Sequence, residues 1–190
     1  YVPGANVVAA YRGGSKAFSL SHSRIDAFTQ EMTARYGVAL YDSIEKLTAD
    51  VDAILLESCD GRQHLEQFIK MAAGKPVFID KPFATSTADA AEIIRVARET
   101  HTPLMSCSSL RFASGIANIL DEKERVISCE AFGYTPILED YPGFFWYGLH
   151  GAEILFSLMG AGCDTVRCLP SRDIDIVMGE WRDKRVGVLR

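Results

Sequence analysis

Lys81 has the setting in this chain that points most directly to chemistry. It belongs to Gly74–Ala84, GKPVFIDKPFA, where the apolar run Val77-Phe78-Ile79 leads straight into Asp80-Lys81-Pro82. Proline biases the residue before it toward extended backbone, which projects the lysine past the end of a strand. An ammonium held there donates a hydrogen bond to a substrate hydroxyl and stabilises a developing alkoxide. In its neutral form the same amine is a general base. A solvated lysine in a surface turn is the bland alternative.

Three other apolar runs end in comparable residues. AAYRGGSK follows the first, with Arg12, Gly13, Ser15 and Lys16. ESCDGRQH follows VDAILL and contributes Glu57, Ser58 and His64, and SSLRF with Arg111 follows PLMSC. Loops are polar in most proteins, so any one of these is weak evidence.

The elements between these loops decide whether they converge. Asn6–Tyr11 reads as a strand, and Ile25, Phe28, Thr29 and Met32 form a helical stripe closed by Gly37 as a C′ residue. Asp42 with Glu45 resembles a capping box for a short helix over Ser43–Leu47. Val51–Glu57 reads as a strand apolar enough for burial on both faces. A helix carrying Leu65, Phe68, Ile69 and Ala72 follows, then the strand PVFID. Ser86 and Asp89 open a further helix, and Thr102–Ser109 reads as another strand.

Strand and helix thus alternate about five times, which predicts an α/β, Rossmann-type, doubly wound parallel sheet over residues 1–112. In such a sheet ligands bind beyond the carboxyl ends of the strands, so all four polar loops fall on one edge. The loop after the second strand of a nucleotide-binding fold meets the adenosine ribose. Arg12, Ser15 and Lys16 there, with no acid between Tyr11 and Lys16, favour the 2′-phosphate of NADP over NAD. Gly13 and Gly14 let the backbone approach a phosphate. No G-x-G-x-x-G turn is present, so the first strand and its glycine-rich turn are expected upstream of Tyr1.

Beyond Phe112 the rhythm changes. VISCEAFGY reads as a strand, an aromatic loop leads into a helix over Leu149–Met159, and DIDIVMGEW and RVGVL alternate around the turn-like Arg182-Asp183-Lys184. Residues 113–190 are therefore expected to be part of an α+β domain with a mainly antiparallel sheet. Its pattern stops at Arg190 with a sheet edge bare, which is expected of a chain that continues. The aromatic loop Tyr141–Gly148, with Trp146 and Tyr147, suits a wall on which a sugar ring stacks. Packing between domains is the plainer use.

Composition bounds the partners. The chain has 190 residues, 48% hydrophobic and 24% charged, with a net charge of −5 and no basic block. That argues against nucleic acid or an anionic membrane as main partner. Five scattered cysteines without a C-x-x-C pair fit reduced thiols in a cytoplasmic compartment, and no histidine or cysteine spacing supports a metal. No signal peptide is evident at YVPGANVVAA, although an export signal upstream of Tyr1 is left open. His150 and Glu153 within PGFFWYGLHGAEILFSLMGAG favour a buried core helix over a membrane span.

The stretch VDAILLESCDGRQHLEQFIKMAAGKPVFIDKPFATSTADAAEII resembles the glucose–fructose oxidoreductase / inositol dehydrogenase (Gfo/Idh/MocA) family. The likeness covers residues 1–112 well and 126–190 more loosely. It implies an NAD(P)-binding domain with the nicotinamide near the lysine, and a second domain forming the substrate floor. By this resemblance Lys81 is the catalytic lysine, Asp80 replaces a usual Glu, His64 matches the strand-end histidine and Arg111 lines the cleft. Arg12, Gly13, Ser15, Glu57, Ser58, His64, Asp80 and Lys81 would meet the cofactor. The family often carries an Asp four residues before a helix-start His. Here His150 is present but Trp146 stands in the Asp position, with Asp140 and Tyr147 as substitutes by type. The resemblance implies hydride transfer to or from a hydroxyl carbon of a sugar, cyclitol or related polyol, and a homo-oligomer formed through the second-domain sheet. A catalytically divergent relative, acting as a cofactor- or sugar-binding regulatory protein, is the competing reading.

Overall fold

A computed structural model describes residues 3–190. Tyr1 and Val2, which begin the stretch read above for an export signal, lie outside the described residues. The chain divides into two compact units between Ser106 and Cys107.

The first unit alternates strand and helix. It opens with β1 (Ala9–Tyr11), α1 (Ser19–His22), α2 (Ile25–Tyr36), β2 (Ala39–Tyr41) and α3 (Ile44–Asp50). It continues with β3 (Ile54–Leu56), α4 (His64–Met71), β4 (Val77–Ile79), α5 (Thr87–Glu99) and β5 (Leu104–Met105). β1 pairs with β2 in parallel, and β3, β4 and β5 form a second parallel sheet in that order. β1 and β3 belong to separate sheets. This is a Rossmann-type arrangement, with every described strand running the same way as its neighbour.

Local chemistry sets the ends of these elements. Gly37 closes α2 at φ 66°, the left-handed conformation in which a Cβ is costly. Ser86 caps α5 by accepting from the Asp89 N–H at 3.0 Å. At α3 the cap is Ser43, which accepts from the Lys46 N–H at 3.2 Å, and not Asp42 as the spacing suggested. Asp42 instead pairs with Lys46 one turn on, at 2.8 Å. The serine hydroxyl sits at the first non-helical residue, and the aspartate lies one position too early to reach those amides.

The core gathers on one face of the three-stranded sheet. Ile54, Leu56, Val77 and Ile79 pack there against Ile44 of α3, Phe68 and Met71 of α4, and Ile93 and Ala97 of α5. Each such side chain contributes about 1.5–3 kcal/mol when fully removed from water. The alternate residues Leu55, Phe78 and Met105 lie in register across the other face. Leu55 is 63% and Met105 51% exposed, so burial on both faces, expected for VDAILL, does not hold among the described residues. The helices that supply the core all pack from the opposite side. The α2 stripe is likewise not buried, with Phe28 and Tyr36 exposed.

The second unit contains α6 (Ser114–Leu120), β6 (Ser128–Ala131), α7 (Gly148–Met159), β7 (Cys163–Leu169), β8 (Ile176–Trp181) and β9 (Val186–Leu189). Its mixed sheet has the order β6-β9-β8-β7, with β6–β9 parallel and the other two pairings antiparallel. α7 packs on this sheet through Phe156 against Trp181, and Trp181 donates to the Gly160 carbonyl at 2.9 Å. β7 is the strand that the sequence pattern does not announce. CDTVRCL lacks apolar alternation, and its ladder with β8 forms because β8 has a free antiparallel edge.

Candidate functional site

In the first unit the carboxyl ends of β3 and β4 lie side by side. Leu56 pairs with Ile79, and the Asp80 N–H donates to the Leu56 carbonyl at 2.9 Å. Glu57 and Asp80 therefore leave adjacent strands together, and Lys81 follows, partly buried, before a cis bond to Pro82. Glu57 keeps solvent contact, yet packing around its carboxyl and then the Asp80 charge push it above the usual glutamate range.

His64 is fully buried at the start of α4. Its Nε2 lies 2.6 Å from the Ser58 carbonyl and its Nδ1 3.3 Å from the Phe83 carbonyl. The short contact is an Nε2–H donation, because a carbonyl oxygen only accepts. His64 thus donates within the loop after β3, where Ser58 enters through its backbone, and its ring packs beside the loop that carries Lys81.

Asp60, a residue that the sequence reading passed over, is 1% exposed. Arg62 grips it in a fork, Nε to Oδ1 at 2.8 Å and Nη2 to Oδ2 at 3.0 Å, and the Arg62 N–H adds a bond of 3.1 Å. Burial alone would raise the Asp60 carboxyl. Hydrogen bonds from Arg62 and Ser15, together with the Arg62 charge, outweigh it and hold the group below the usual range. Arg62 also donates to the Ala17 carbonyl at 3.0 Å. Ser15 is therefore buried in this network, while Arg12 reaches the solvent side and pairs with Asp26. A Cβ on Gly13 would lie 3.2 Å from the Ser58 hydroxyl, so the loops after β1 and β3 approach closely there. Beside it, the Oε1 of buried Gln67 has no hydrogen-bond partner.

In the second unit, Ser108 Oγ lies 2.7 Å from His150 Nδ1. Ser108 is buried and also accepts from the Leu110 N–H at 3.1 Å. Its hydroxyl is thus one hydrogen-bond partner of His150, and one that the sequence reading did not name. Tyr147 packs edge-on to His150 at 5.3 Å, Trp146 follows at 5.8 Å, and Tyr141 meets Trp146 at 5.6 Å. Arg111 bonds Glu153 at 3.0 Å and Ser157 at 3.2 Å on α7. The neighbouring Phe144 and Phe145 instead line a hollow of about 820 Å³ with Leu149, Val177 and Leu189. The aromatic loop therefore faces two environments.

The first unit thus carries a lysine and two carboxylates on the carboxyl edge of a parallel, Rossmann-type sheet, and a mixed-sheet unit follows it in the chain. The profile described as "Oxidoreductase family, NAD-binding Rossmann fold" matches residues 7–107, and the chain belongs to this Gfo/Idh/MocA family. No curated protein matches the chain.

Solved structures share the fold. A "probable dehydrogenase" from Thermotoga maritima superposes with a TM-score of 0.75 at 21% identity, over 97% of this chain and 61% of that one. The WlbA dehydrogenase from Bordetella pertussis, in complex with NADH and UDP-GlcNAcA, gives 0.70 at 20% identity, over 86% and 60%. GenD2 from gentamicin A biosynthesis, in complex with NAD, gives 0.71 at 17% identity, over 100% and 68%. The chain thus spans about 60% of the first of these structures. Among the described residues no helix is long and apolar enough to cross a membrane.

Proposed function

We propose that this chain is part of an NAD(P)-dependent dehydrogenase that moves hydride between the nicotinamide and a hydroxyl carbon of a sugar, cyclitol or related polyol. The observation that carries this reading is Lys81 at the carboxyl edge of a parallel sheet, directly after β4 and beside Asp80, in a member of the NAD-binding oxidoreductase family. Lys81 is the principal catalytic group and His150 the assisting one.

The residues present fit a dinucleotide. Gly13 keeps the loop after β1 close to Ser58, and the unpartnered Gln67 Oε1 beside it accepts a donor. Arg12, Gly13, Ser15, Glu57, Ser58, His64 and Asp80 form or support the cofactor edge, and Ser15, His64 and Ser58 act through the network that holds the loops. Arg12 favours NADP over NAD, with the 2′-phosphate competing with Asp26 for the guanidinium. When bound, the nicotinamide supplies the hydride acceptor or donor. Lys81 takes the hydroxyl proton or stabilises the alkoxide, and Ser108 orients the His150 ring through Nδ1 for proton exchange. Tyr147 and Trp146 offer faces for a sugar ring, and Arg111 borders the substrate.

The WlbA neighbour, crystallised with a UDP-sugar acid and NADH, supports a sugar-like substrate. Leu169, Ile176 and Met178 share one face of the second-unit sheet and are exposed, which suits a homo-oligomer contact. The cytoplasm is the proposed location. Trp146 in place of the acid before His150 favours a second reading, a divergent relative that binds cofactor or sugar as a regulator.

Titration of the full-length protein with NADH and NADPH, followed by a sugar and polyol panel read by cofactor absorbance, tests both. Turnover supports the dehydrogenase. Binding without turnover across the panel favours the regulator, and binding of neither cofactor overturns both.

A further inference from the structure

We propose that Glu153 is a positioning residue for His150. By holding Arg111 it seats the turn that begins at Ser108, and Ser108 in turn orients the imidazole. The inference rests on the dehydrogenase reading above, in which His150 assists proton exchange, and it adds Glu153 and Ser157 to the residues on which that reading depends.

The arrangement follows from helix spacing. His150, Glu153 and Ser157 stand at i, i+3 and i+7 on α7, so they share one face. Ser108 and Arg111 lie three residues apart around the tight turn Ser109–Phe112. The two sets meet at both ends. Ser108 Oγ lies 2.7 Å from His150 Nδ1, and Arg111 Nη1 donates to Glu153 Oε1 at 3.0 Å and to Ser157 Oγ at 3.2 Å. All five residues belong to the second unit.

The turn's own bonds are local. The Arg111 N–H donates to the Ser108 carbonyl at 3.1 Å, and the Ala113 N–H to the Leu110 carbonyl at 3.0 Å. The Leu110 N–H donates to Ser108 Oγ at 3.1 Å. These bonds fix the shape of the turn and not its place on α7. Helix α6 packs against both the turn and α7 and keeps them close. The polar contacts then set how far along α7 the turn sits. A second anchor, three residues along the helix from the first, removes the rotation that a single Ser108–His150 bond leaves open.

Exposure favours placement over stability as the role of this anchor. The Arg111 and Glu153 side chains are 43% and 23% exposed, and an ion pair that open adds little to folding. Ser157 is buried, and its hydroxyl meets the same guanidinium nitrogen. Two partners on α7 therefore fix the direction of a rigid, planar group as well as its distance.

The test is a double-mutant cycle in the full-length protein. Glu153→Ala is expected to lower kcat about fivefold, with NAD(P)H affinity within about twofold of wild type. In a Ser108→Ala background the same substitution is expected to change kcat by less than about twofold, because the residue it acts through is gone. Glu153→Gln keeps an acceptor for Arg111 Nη1 and is expected to recover most of the kcat. A direct effect of the Glu153 charge on the imidazole would instead leave it as low as Glu153→Ala. A second readout needs no substrate. With histidine labelled at Cε1, Glu153→Ala is expected to move the His150 nuclear magnetic resonance signal, assigned through His150→Ala, in the wild-type background but not in Ser108→Ala. The signals of His22, His64 and His101, all in the first unit, should stay in place. Multiplied losses in the cycle, equal effects of Gln and Ala, or a His150 signal unmoved by Glu153→Ala overturn the proposal. Where wild type binds cofactor without turnover, the dehydrogenase reading falls, and the resonance cycle alone decides whether Glu153 seats the ring.

Discussion

Ser108 Oγ and His150 Nδ1 lie 2.7 Å apart, although 42 positions separate them in the chain. A hydroxyl accepts from a protonated imidazole and donates to a neutral one, so it orients the ring in both states. A carboxylate at Trp146's position would have favoured the charged form. Serine therefore orients the ring through a neutral bond.

Ser108→Ala is expected to lower turnover about tenfold by releasing the ring, while His150→Ala lowers it about 100-fold or more, within the usual range for general acid–base catalysis. Cofactor affinity should stay unchanged in both. Steady-state kinetics on the best substrate of the panel check this, and an unaltered kcat in Ser108→Ala would remove the serine from the mechanism.

Lys81→Ala should be more severe. Removing the group that stabilises the alkoxide and exchanges its proton is expected to cost about 10²–10⁴-fold in kcat. NAD(P)H binding should persist within a few-fold. Lys81→Arg keeps the charge but not an accessible neutral form, so it should recover binding of the substrate more than turnover.

Asp60, which is buried, and Glu57, which is exposed, shift in opposite directions, and their effects on stability oppose each other. Asp60 is held below its unfolded value of about 3.9. Its contribution is present above that value and is lost as pH falls through the folded pKa. Asp60→Asn should therefore destabilise the protein by about 2–3 kcal/mol at neutral pH and flatten the acid limb of the melting curve against pH. Glu57 is raised by burial and by Asp80, so the folded state holds the extra proton. Stability falls as pH rises from the unfolded value of about 4.3 through the folded one, and Glu57→Gln should remove that decline.

The second unit offers a packing test. A Cβ on Gly187 would lie 2.9 Å from the Trp181 ring and 3.0 Å from Met159 Sδ. Gly187→Ala is expected to cost about 1–3 kcal/mol by overpacking. Trp181→Ala, at a side chain 2% exposed, should cost about 3–5 kcal/mol. Thermal or urea denaturation measures both, and a neutral Gly187→Ala would show that Trp181 has room to shift.

What the sequence determined by itself was local. Apolar runs marked β1, β3 to β6, β8 and β9 because burial demands contiguous or alternating hydrophobic residues. Gly37 and Ser86 marked helix ends because their backbone and side-chain chemistry acts within four residues. The position of Lys81 after β4 followed from the same run. Tertiary structure alone decided the rest. Ser108 met His150, and Asp60 and Arg62 met Ser15 and Ala17, through contacts across more than 40 positions that no periodicity records. β7 formed because a neighbouring strand offered an edge, and Leu55 stayed open because the helices packed on the other face. Strand and cap signals are written in adjacent residues, whereas partners and exposed faces are set by which elements the chain brings together.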